Sequence, residues 1–588
     1  MENLPEVLRR LLRVRGIDDA DLEKFLNPSL RDLADPAELP GIAAASDVIL
    51  DALVARKRIV VFGDYDCDGV CATAILVKTL TTLAAAAPSS AVPVPQPFLP
   101  ERLSEGYGMT DASVERLLTK CCPDVGLVVT VDNGINSIEQ VADLKAKGVS
   151  VVVTDHHLPT PAPDGSGEPL LPAADAVVDP KVAAPAHLKE LCGAGVAFFL
   201  ANRLVAEAKR RGLYDGPKLG GPLLVLAGLA TVTDIMPVLG QNRILVAEAL
   251  KNFRTCAPLG LQELHSRAAR TARGCLTSRD FGFMLGPRIN AAGRLASGMD
   301  ALDLILETNR ERVREYARQI DLNNTQRRGI EQEMTKKALA QIVNPDAAAQ
   351  VIDLPDGHPG VAGIVAARVM ETLKDKFGMQ VPVCVLAGGH GSARAPEGLN
   401  IRDALEACKV VLDRHGGHAA AGGFSVKDGQ VDRFRELLVK YCEDERRTHP
   451  QLAASEDEPD LWLDLPDVTL ELAEALTRLE PFGEGNPEPV FGLRGVLLRD
   501  VRPLGAGGQH LSARISSPDA RPSQADELRA VWWRGGDRVE PLRTAGAAPH
   551  DVRFTLGVSD YGERHVELLL RSVKLTTAIA DIPSAWVA

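Results

Sequence analysis

Three carboxylates stand at alternate positions in Gly63-Asp64-Tyr65-Asp66-Cys67-Asp68-Gly69. They follow the apolar run 59–62 and precede a helix-like run from Val70 onward. Three acids within five residues repel one another unless positive charge sits between them, and a hard divalent cation with oxygen ligands meets that need. Two plainer readings compete. An EF-hand calcium loop shares the D-x-D-x-D-G start, but it requires a bidentate Glu at its twelfth position, here Ile75, and a helix where residues 59–62 read as a strand. A solvated acidic turn would suffice for an isolated D-x-D.

Further along, the turn reading loses ground. Leu127-Val128-Val129-Thr130-Val131 runs into Asp132-Asn133-Gly134, and Val151-Val152-Val153-Thr154 into Asp155-His156-His157. The apolar stretch 223–232 ends at Thr233-Asp234-Ile235-Met236-Pro237. Open α/β sheets bind ligands at the C-terminal ends of their strands, so these four endings are expected to deliver their side chains to one sheet edge. The candidate ligands are Asp64, Asp66, Asp68, Asp132, Asp155, Asp234, His156 and His157. Mixed carboxylate and imidazole ligation suits manganese or magnesium better than a thiolate metal. The set is large enough for two ions, and a bridging carboxylate would hold them about 3.5–4 Å apart, the spacing of two-metal phosphoester displacement. A His-His pair alone is more often a cap or a surface feature. At a strand end beside Asp155, one imidazole can ligate while the other donates to a phosphate.

Positioning these groups calls for a parallel sheet. Strand-like runs at 59–62, 126–131, 149–154 and 176–179 alternate with helix-like runs at 70–83, 113–121 and 137–147. Strands written as near-continuous valine are those of a sheet buried on both faces. The chain has 588 residues, room for three or four domains on a prior of ~150 residues each. Its 45% hydrophobic and 25% charged residues are ordinary for a soluble globular protein. No run of 18 apolar residues is written, so no membrane span is expected, and Met1-Glu2-Asn3-Leu4-Pro5 has no secretory character. Ten cysteines without a C-x-x-C pair point to reduced thiols and a cytoplasmic setting. A net charge of −13 argues against indiscriminate binding to nucleic acid but allows a local basic groove.

The ordered set D-Y-D-C-D-G, V-D-N-G, T-D-H-H and T-D-I-M-P resembles motifs one to four of the DHH phosphoesterase superfamily. Further features resemble its RecJ branch, the single-strand-specific 5′→3′ DNA exonucleases. These are Pro100-Glu101-Arg102 with Glu105-Gly106-Tyr107-Gly108, Pro287-Arg288-Ile289-Asn290-Ala291-Ala292-Gly293-Arg294, Gly391-Ser392-Ala393-Arg394, Gly416-Gly417-His418-Ala419 and Pro481-Phe482-Gly483-Glu484-Gly485-Asn486-Pro487. The resemblance covers residues 20–575. It implies that Asp66, Asp68, Asp132, His156 and Asp234 ligate the metals, that Asp132 bridges and that His157 faces the scissile phosphate. Asp64 and Asp155 are then extra ligands or orienting groups. Arg102, Tyr107, Arg288, Asn290, Arg294, Ser392, Arg394 and His418 are the expected contacts to DNA or its 5′-phosphate. Many members carry a histidine four residues before the first ligand; here that position is Phe62, so one metal is expected to be held by fewer protein groups.

Between 264 and 298, six arginines (Arg267, Arg270, Arg273, Arg279, Arg288, Arg294) accompany one acid, Asp280. Arginine suits bidentate phosphate contacts. A salt-bridged surface helix explains Arg267, Arg270 and Arg273; Arg288 and Arg294, among small residues, are better placed to reach a backbone ligand. Residues 311–342 read as one long helix, with Asn323 and Asn324 interrupting its apolar stripe as a candidate bend. A second α/β unit follows, whose glycine clusters let backbone amides approach a phosphate; Ser392 and Arg394, two apart, can face one ligand. By resemblance this is a DHHA1-type domain lying across a cleft from the metals. Residues 460–575 show five or six short strands, as in an OB-type barrel that binds single strands by stacking. Phe482, Phe491, Trp532 and Trp533 are its candidate aromatics, with Phe482 and Trp532 preferred and at most one of the two tryptophans facing a groove, while core packing is the commoner role for each taken alone.

The expected architecture is α/β: a lead-in (1–50) packed on a DHH-type parallel-sheet catalytic domain (51–300), a connecting helix (301–345), a DHHA1-type domain (346–445), an OB-type barrel (460–575) and a tail (576–588). The expected activity is a two-metal, Mn2+- or Mg2+-dependent exonuclease releasing 5′-mononucleotides from single-stranded DNA in repair and recombination. By resemblance its partners are a single-strand-binding protein and a helicase, and a monomer away from membranes is expected. One rival is a phosphodiesterase of this superfamily acting on short oligoribonucleotides or cyclic dinucleotides, which the extra barrel argues against. The other is a non-catalytic single-strand-binding scaffold, which the intact ligand set argues against.

Overall fold

The computed structural model describes residues 4–86, 92–102, 104–162, 166–268, 276–448, 458–518, 527–546, 548–559 and 563–576. Arg270, Arg273 and most of the expected tail lie outside them. The chain forms two compact units.

The larger unit draws on Asp35–Asp234 and Ala249–Glu456. Its first sheet is parallel, in the order β2-β1-β3-β4-β5, with β1 Ile59–Phe62, β2 Gln96–Phe98, β3 Leu127–Thr130, β4 Ser150–Thr154 and β5 Ala176–Val178. The valines of β1, β3 and β4 are buried on both faces, as their unbroken apolar runs require. Behind the sheet runs α1 (Cys67–Ala86), which packs on α2 (Gly193–Arg210) and α3 (Gly221–Thr233). By length and composition α1 could cross a bilayer, contrary to the sequence expectation, yet 67% of its apolar window is buried inside the protein; it is a core helix, apolar all round. The apolar stretch 223–232, expected to end at the edge of the sheet, is the helix α3 and not a strand of that sheet. Short apolar runs do not separate strand from helix by periodicity, and Gly221-Pro222 opens a helix here.

α4 (Gly286–Leu295) and α5 (Arg310–Ala340) lead to the second sheet. α5 is unbroken through Asn323 and Asn324, which are buried and take hydrogen bonds from Gln319 and Arg327. The second sheet runs β6-β7-β8-β10-β9, with β6 Gln350–Leu354, β7 Val383–Ala387, β8 His390–Arg394, β9 Leu412–Gly417 and β10 Ala421–Val426. β9 and β10 form the glycine-rich hairpin.

The smaller unit comprises Met1–Ala34, Ile235–Glu248 and Asp457–Ala588. β11 (Leu461–Trp462) lies beside β12 (Phe491–Leu504). β12 pairs with β13 (His510–Ser516), β13 with β14 (Leu528–Trp532), β14 with β16 (His565–Leu575), β16 with β15 (His550–Ser559), and β15 returns to β12. This closes a five-stranded OB-type barrel. Leu8, Leu11 and Phe25, from helices Glu6–Val14 and Leu22–Leu26, share its core with Phe491, Leu511 and Phe554. The lead-in is thus corrected: its first part shares the barrel core, and the turn Pro36–Glu38 with helix Ile42–Val54 packs on the parallel-sheet domain, against α2 and β5.

The candidate aromatics divide between core and surface, and the two preferred for stacking take the core role. Phe491 is fully buried, and Phe482 and Trp532 pack against the same core. The exposed indole is Trp533, 56% accessible and edge-on to His510.

Candidate metal centre and the facing arginine cluster

Asp66 leads into α1 and caps it: its Oδ1 accepts from the amides of Asp68 and Gly69, both at 3.0 Å. A capping carboxylate is thereby oriented, with Oδ2 free of that duty. Asp68, the second residue of the helix, accepts from the N-terminal amides of α2, Gly193 on Oδ2 and Ala194 on Oδ1, each at 2.7 Å. Asp132 leaves β3 in the left-handed region (φ 61°), a conformation non-glycine residues hold only where the surroundings enforce it. It presses so closely on α2 that a Cβ on Gly193 would lie 2.6 Å from its own Cβ. Asp234 caps the C-terminal end of α3.

These groups converge. His156 Nε2 lies 3.1 Å from Asp132 Oδ1 and 3.6 Å from both Asp68 Oδ2 and Asp234 Oδ2. Three trios place ligand atoms within 4.8 Å of one another: Asp64, Asp66 and Asp132; Asp68, His156 and Asp234; Asp132, His156 and His157. Asp132 and His156 recur, the layout of two adjacent cation sites with a shared carboxylate. Phe62, where a histidine is frequent, stacks on Phe98 at 4.8 Å in the core; Asp64, Asp66 and Asp132 still offer three carboxylates on that side.

Burial lifts Asp64, Asp132 and Asp234 well above the usual carboxylate range, and repulsion from Asp66 and Asp68 adds to it. Burial, aided by neighbouring His157, pushes His156 down to about 4, leaving a neutral imidazole with a lone pair to offer. Both carboxylate oxygens of Asp64, Oδ1 of Asp132 and Nε2 of His156 are buried without a hydrogen-bond partner. Buried polar atoms are rarely left unpaired. Carboxylate oxygens with an imidazole nitrogen are the donor set of a hard or borderline divalent ion, so the residues present fit Mn2+ or Mg2+.

Asp155 accepts from the amides of Ile135 and His156, and its Oδ1 lies 2.7 Å from His157 Nδ1, which orients that ring. Burial alone would lower the His157 pKa, but Asp155 outweighs that and raises it to about 9. His157 Nε2 meets the Tyr107 hydroxyl at 2.9 Å, and His418 from the β9–β10 turn stacks on its ring at 6.1 Å. The loop carrying Arg102 and Tyr107 is fastened by Glu105, which pairs with Arg116 and accepts the Glu101 amide at 2.8 Å.

A cleft of about 350 Å³ is lined by Tyr65, Arg102 and Tyr107 on one side and by Gly360, Ser392 and Arg414 on the other. Arg294 has Arg102 and Arg394 as charged neighbours, and burial lowers its pKa to about 10. Arg294 donates to the Gly360 carbonyl at 3.1 Å, Arg394 to the Ala393 carbonyl at 2.8 Å, and the Arg102 guanidinium lies 5.3 Å from the Tyr65 ring centre. Among the described residues no carboxylate pairs with any of the three.

Other expected contacts are engaged elsewhere. Arg288 pairs with Asp321 at 2.9 Å and donates to the Met284 carbonyl. Asn290 accepts the Cys67 amide at 2.7 Å. Arg267 pairs with Glu263 on its own helix, as the surface-helix reading holds. Two features were missed in the sequence: the α2 amides that grip Asp68, signalled only by the small residues Gly193-Ala194-Gly195, and Trp462, stacked by Arg494 at 4.3 Å in a barrel groove of about 770 Å³.

Residues 58–219 match the DHH family N-terminal domain, 337–444 the DHHA1 domain and 459–572 the RecJ OB domain. The single-stranded-DNA-specific exonuclease RecJ of Dickeya dadantii is 35% identical over 97% of this chain and 96% of its own. That of Thermus thermophilus is 36% identical over 86% of this chain and 67% of its own. The crystal structure of Thermus thermophilus RecJ in complex with Mn2+ superposes with a TM-score of 0.77 at 30% identity, covering 97% of this chain and 76% of that one. The Mg2+ complex gives 0.72 at 29%, covering 97% and 74%. Three domain matches in one order, and identity sustained over nearly the whole of both chains, mean that this chain belongs to the RecJ family of metal-dependent single-stranded-DNA-specific exonucleases.

Proposed function

We propose that the chain removes 5′-mononucleotides from single-stranded DNA with two Mn2+ or Mg2+ ions held by Asp64, Asp66, Asp68, Asp132, His156 and Asp234. The observation that carries this reading is a set of buried ligand atoms with no hydrogen-bond partner, beside a cleft lined by Arg102, whose arginine neighbours Arg294 and Arg394, like Arg102 itself, pair with no carboxylate among the described residues. Ions bound there would supply Lewis acidity, lowering the pKa of the attacking water and neutralising charge on the phosphoryl group.

The chain's own residues do the rest. His157, held at Nδ1 by Asp155, is placed to donate from Nε2; a phosphate oxygen takes the place that the Tyr107 hydroxyl occupies here. Arg102, Arg294 and Arg394, with Ser392, bind the 5′-phosphate, since guanidinium groups match phosphate geometry. His418 stacks on His157 and fixes its ring plane. The relatives' names, single-stranded-DNA-specific exonucleases, support a polymer substrate, as does the barrel. We extend the reading to a monomer acting in the cytoplasm beside a single-strand-binding protein and a helicase.

The test is digestion of matched 5′- and 3′-labelled DNA and RNA strands with Mn2+, Mg2+ or chelator. The expected result is immediate release of labelled mononucleotide from 5′-labelled DNA and a shrinking ladder from 3′-labelled DNA. The reverse order of release, or equal activity without divalent ions, would overturn it.

A further inference from the structure

We infer that Asn290 is a positioning residue for the ligand loop, not a contact for the 5′ end, and that α4 is the bar joining that loop to the arginine cluster. The inference rests on the proposed function. The leading amides of a helix have no partner within it. In α1, Asp66 Oδ1 satisfies those of Asp68 and Gly69, and the Cys67 amide reaches Asn290 Oδ1 on α4 at 2.7 Å. Two side-chain oxygens thus hold the start of α1, and one of them belongs to a candidate ligand. Removing Asn290 Oδ1 leaves the Cys67 amide seeking an acceptor, and the Asp66 carboxylate is the one at hand.

Glycines press α4 against the same loop. A Cβ on Gly293 would meet the Tyr65 carbonyl oxygen at 2.4 Å, and one on Gly298 the Tyr65 Cα at 3.1 Å. Gly293 belongs to α4 and Gly298 opens the helix that follows it, so α4 and its successor both press on Tyr65, between Asp64 and Asp66. One turn beyond Asn290 on the same face stands Arg294, bonded to the Gly360 carbonyl and neighboured by Arg102 and Arg394. The oxygen that holds the loop and the guanidinium that meets the 5′ end ride on one short helix.

The test compares wild type with Asn290→Ala, Asn290→Asp and Arg294→Ala in the full chain, on strands with a 5′-phosphate or a 5′-hydroxyl. Mn2+ binding is read independently from the loss of the free-ion electron paramagnetic resonance signal. Asn290→Ala is expected to weaken Mn2+ binding and kcat by roughly 10–100-fold, the scale of losing a group that orients a ligand, while the KM preference for a 5′-phosphate stays as in wild type. Asn290→Asp, which keeps an acceptor for the Cys67 amide, is expected to restore most Mn2+ binding. Arg294→Ala is expected to lose the 5′-phosphate preference with Mn2+ binding retained. An Asn290→Ala protein with normal Mn2+ binding, or one whose 5′-phosphate preference collapses, would overturn the inference. An Asn290→Asp protein that binds Mn2+ no better than Asn290→Ala would do the same. A wild type that binds Mn2+ yet digests no strand would instead remove the proposed function.

Discussion

Two buried clusters of charge in this molecule are built on opposite plans. In the smaller unit, Arg243 is enclosed, yet its guanidinium donates to four carbonyls: Phe25 at 2.8 Å, Pro481 at 3.1 Å, Leu479 at 3.0 Å and Glu480 at 2.9 Å. The Phe25 ring covers it at 3.9 Å, and Asn486 donates to two of the same carbonyls. In the larger unit, Asp64, Asp132 and His156 are as deeply buried but keep atoms with no partner. A buried charge satisfied by the chain fastens a fold; one left unsatisfied costs stability until something from outside completes it. The chain closes the first cluster by itself and reserves the second for ions.

The sharpest way to break this contrast is Asp132→Asn. The shared carboxylate is lost, and activity should fall by about 10³-fold, the scale of removing a principal charge-stabilising group. The metal-free protein should melt no lower than wild type, because an unpaired buried charge has been removed. A melting temperature well below wild type would mean that Asp132 supports the fold, and the contrast would fail.

Arg243→Met is the mirror experiment. It takes the guanidinium from four carbonyls in a dry interior, of which Leu479 and Pro481 keep Asn486, and should destabilise the barrel unit by about 3–5 kcal/mol, the usual cost of breaking a buried charged network from one side. Arg243→Lys should recover part of this, since an ammonium donates but cannot span four acceptors in a fork. Urea denaturation followed through barrel tryptophan fluorescence measures it. A loss under about 1 kcal/mol would show that the clamp is ornamental and leave burial alone as its explanation.

A third measurement separates the clusters by pH. Asp64, Asp132 and Asp234 have folded-state pKa values raised above their unfolded values, by burial first and by repulsion from Asp66 or Asp68 second. Such groups contribute stability below their unfolded pKa of ~4, and it is lost as pH rises through the raised folded pKa. The metal-free protein should therefore weaken from acid toward neutral pH on account of these three. Mn2+ displaces their protons, so its thermal stabilisation should grow from pH 5 to pH 7.5, with net proton release visible by calorimetry in buffers of different ionisation enthalpy. Proton-neutral binding at pH 6 would show that the carboxylates were already ionised.

The same contrast separates what was legible in the sequence from what was not. Asp66, Asp68, Asp132 and His156 were readable because strand ends in a parallel sheet point to one edge and few residue types do metal chemistry. Asp234 was readable as a candidate ligand, but the element before it was not, since an apolar run looks alike in a buried strand and a buried helix. The grip of Gly193 and Ala194 on Asp68 left almost no trace, because helix-terminal amides carry no side-chain signature. Asn290 and Arg294 sit in one motif, and only the coordinates separate the residue bonded to Cys67 from the one beside Arg102 and Arg394. The union of residues 4–26 with the barrel is long-range packing, which local periodicity does not encode.

The smallest expected effect tests the contrast where no charge is involved. Trp532 packs against the barrel core with Arg538 at 4.9 Å from its ring, whereas the adjacent Trp533 stands exposed. If enclosure marks structure and exposure marks binding for aromatics too, the two substitutions should part cleanly. Trp532→Ala should lower the melting temperature with little change in strand affinity per folded molecule. Trp533→Ala should leave melting unchanged and weaken binding to long single strands by about 1–3 kcal/mol, the value of one stacked base. Fluorescence-anisotropy titration with a labelled oligothymidine, read beside thermal melts, checks both. Equal affinity for Trp533→Ala and wild type would remove the exposed indole from the binding surface and leave the barrel's aromatics with a packing role.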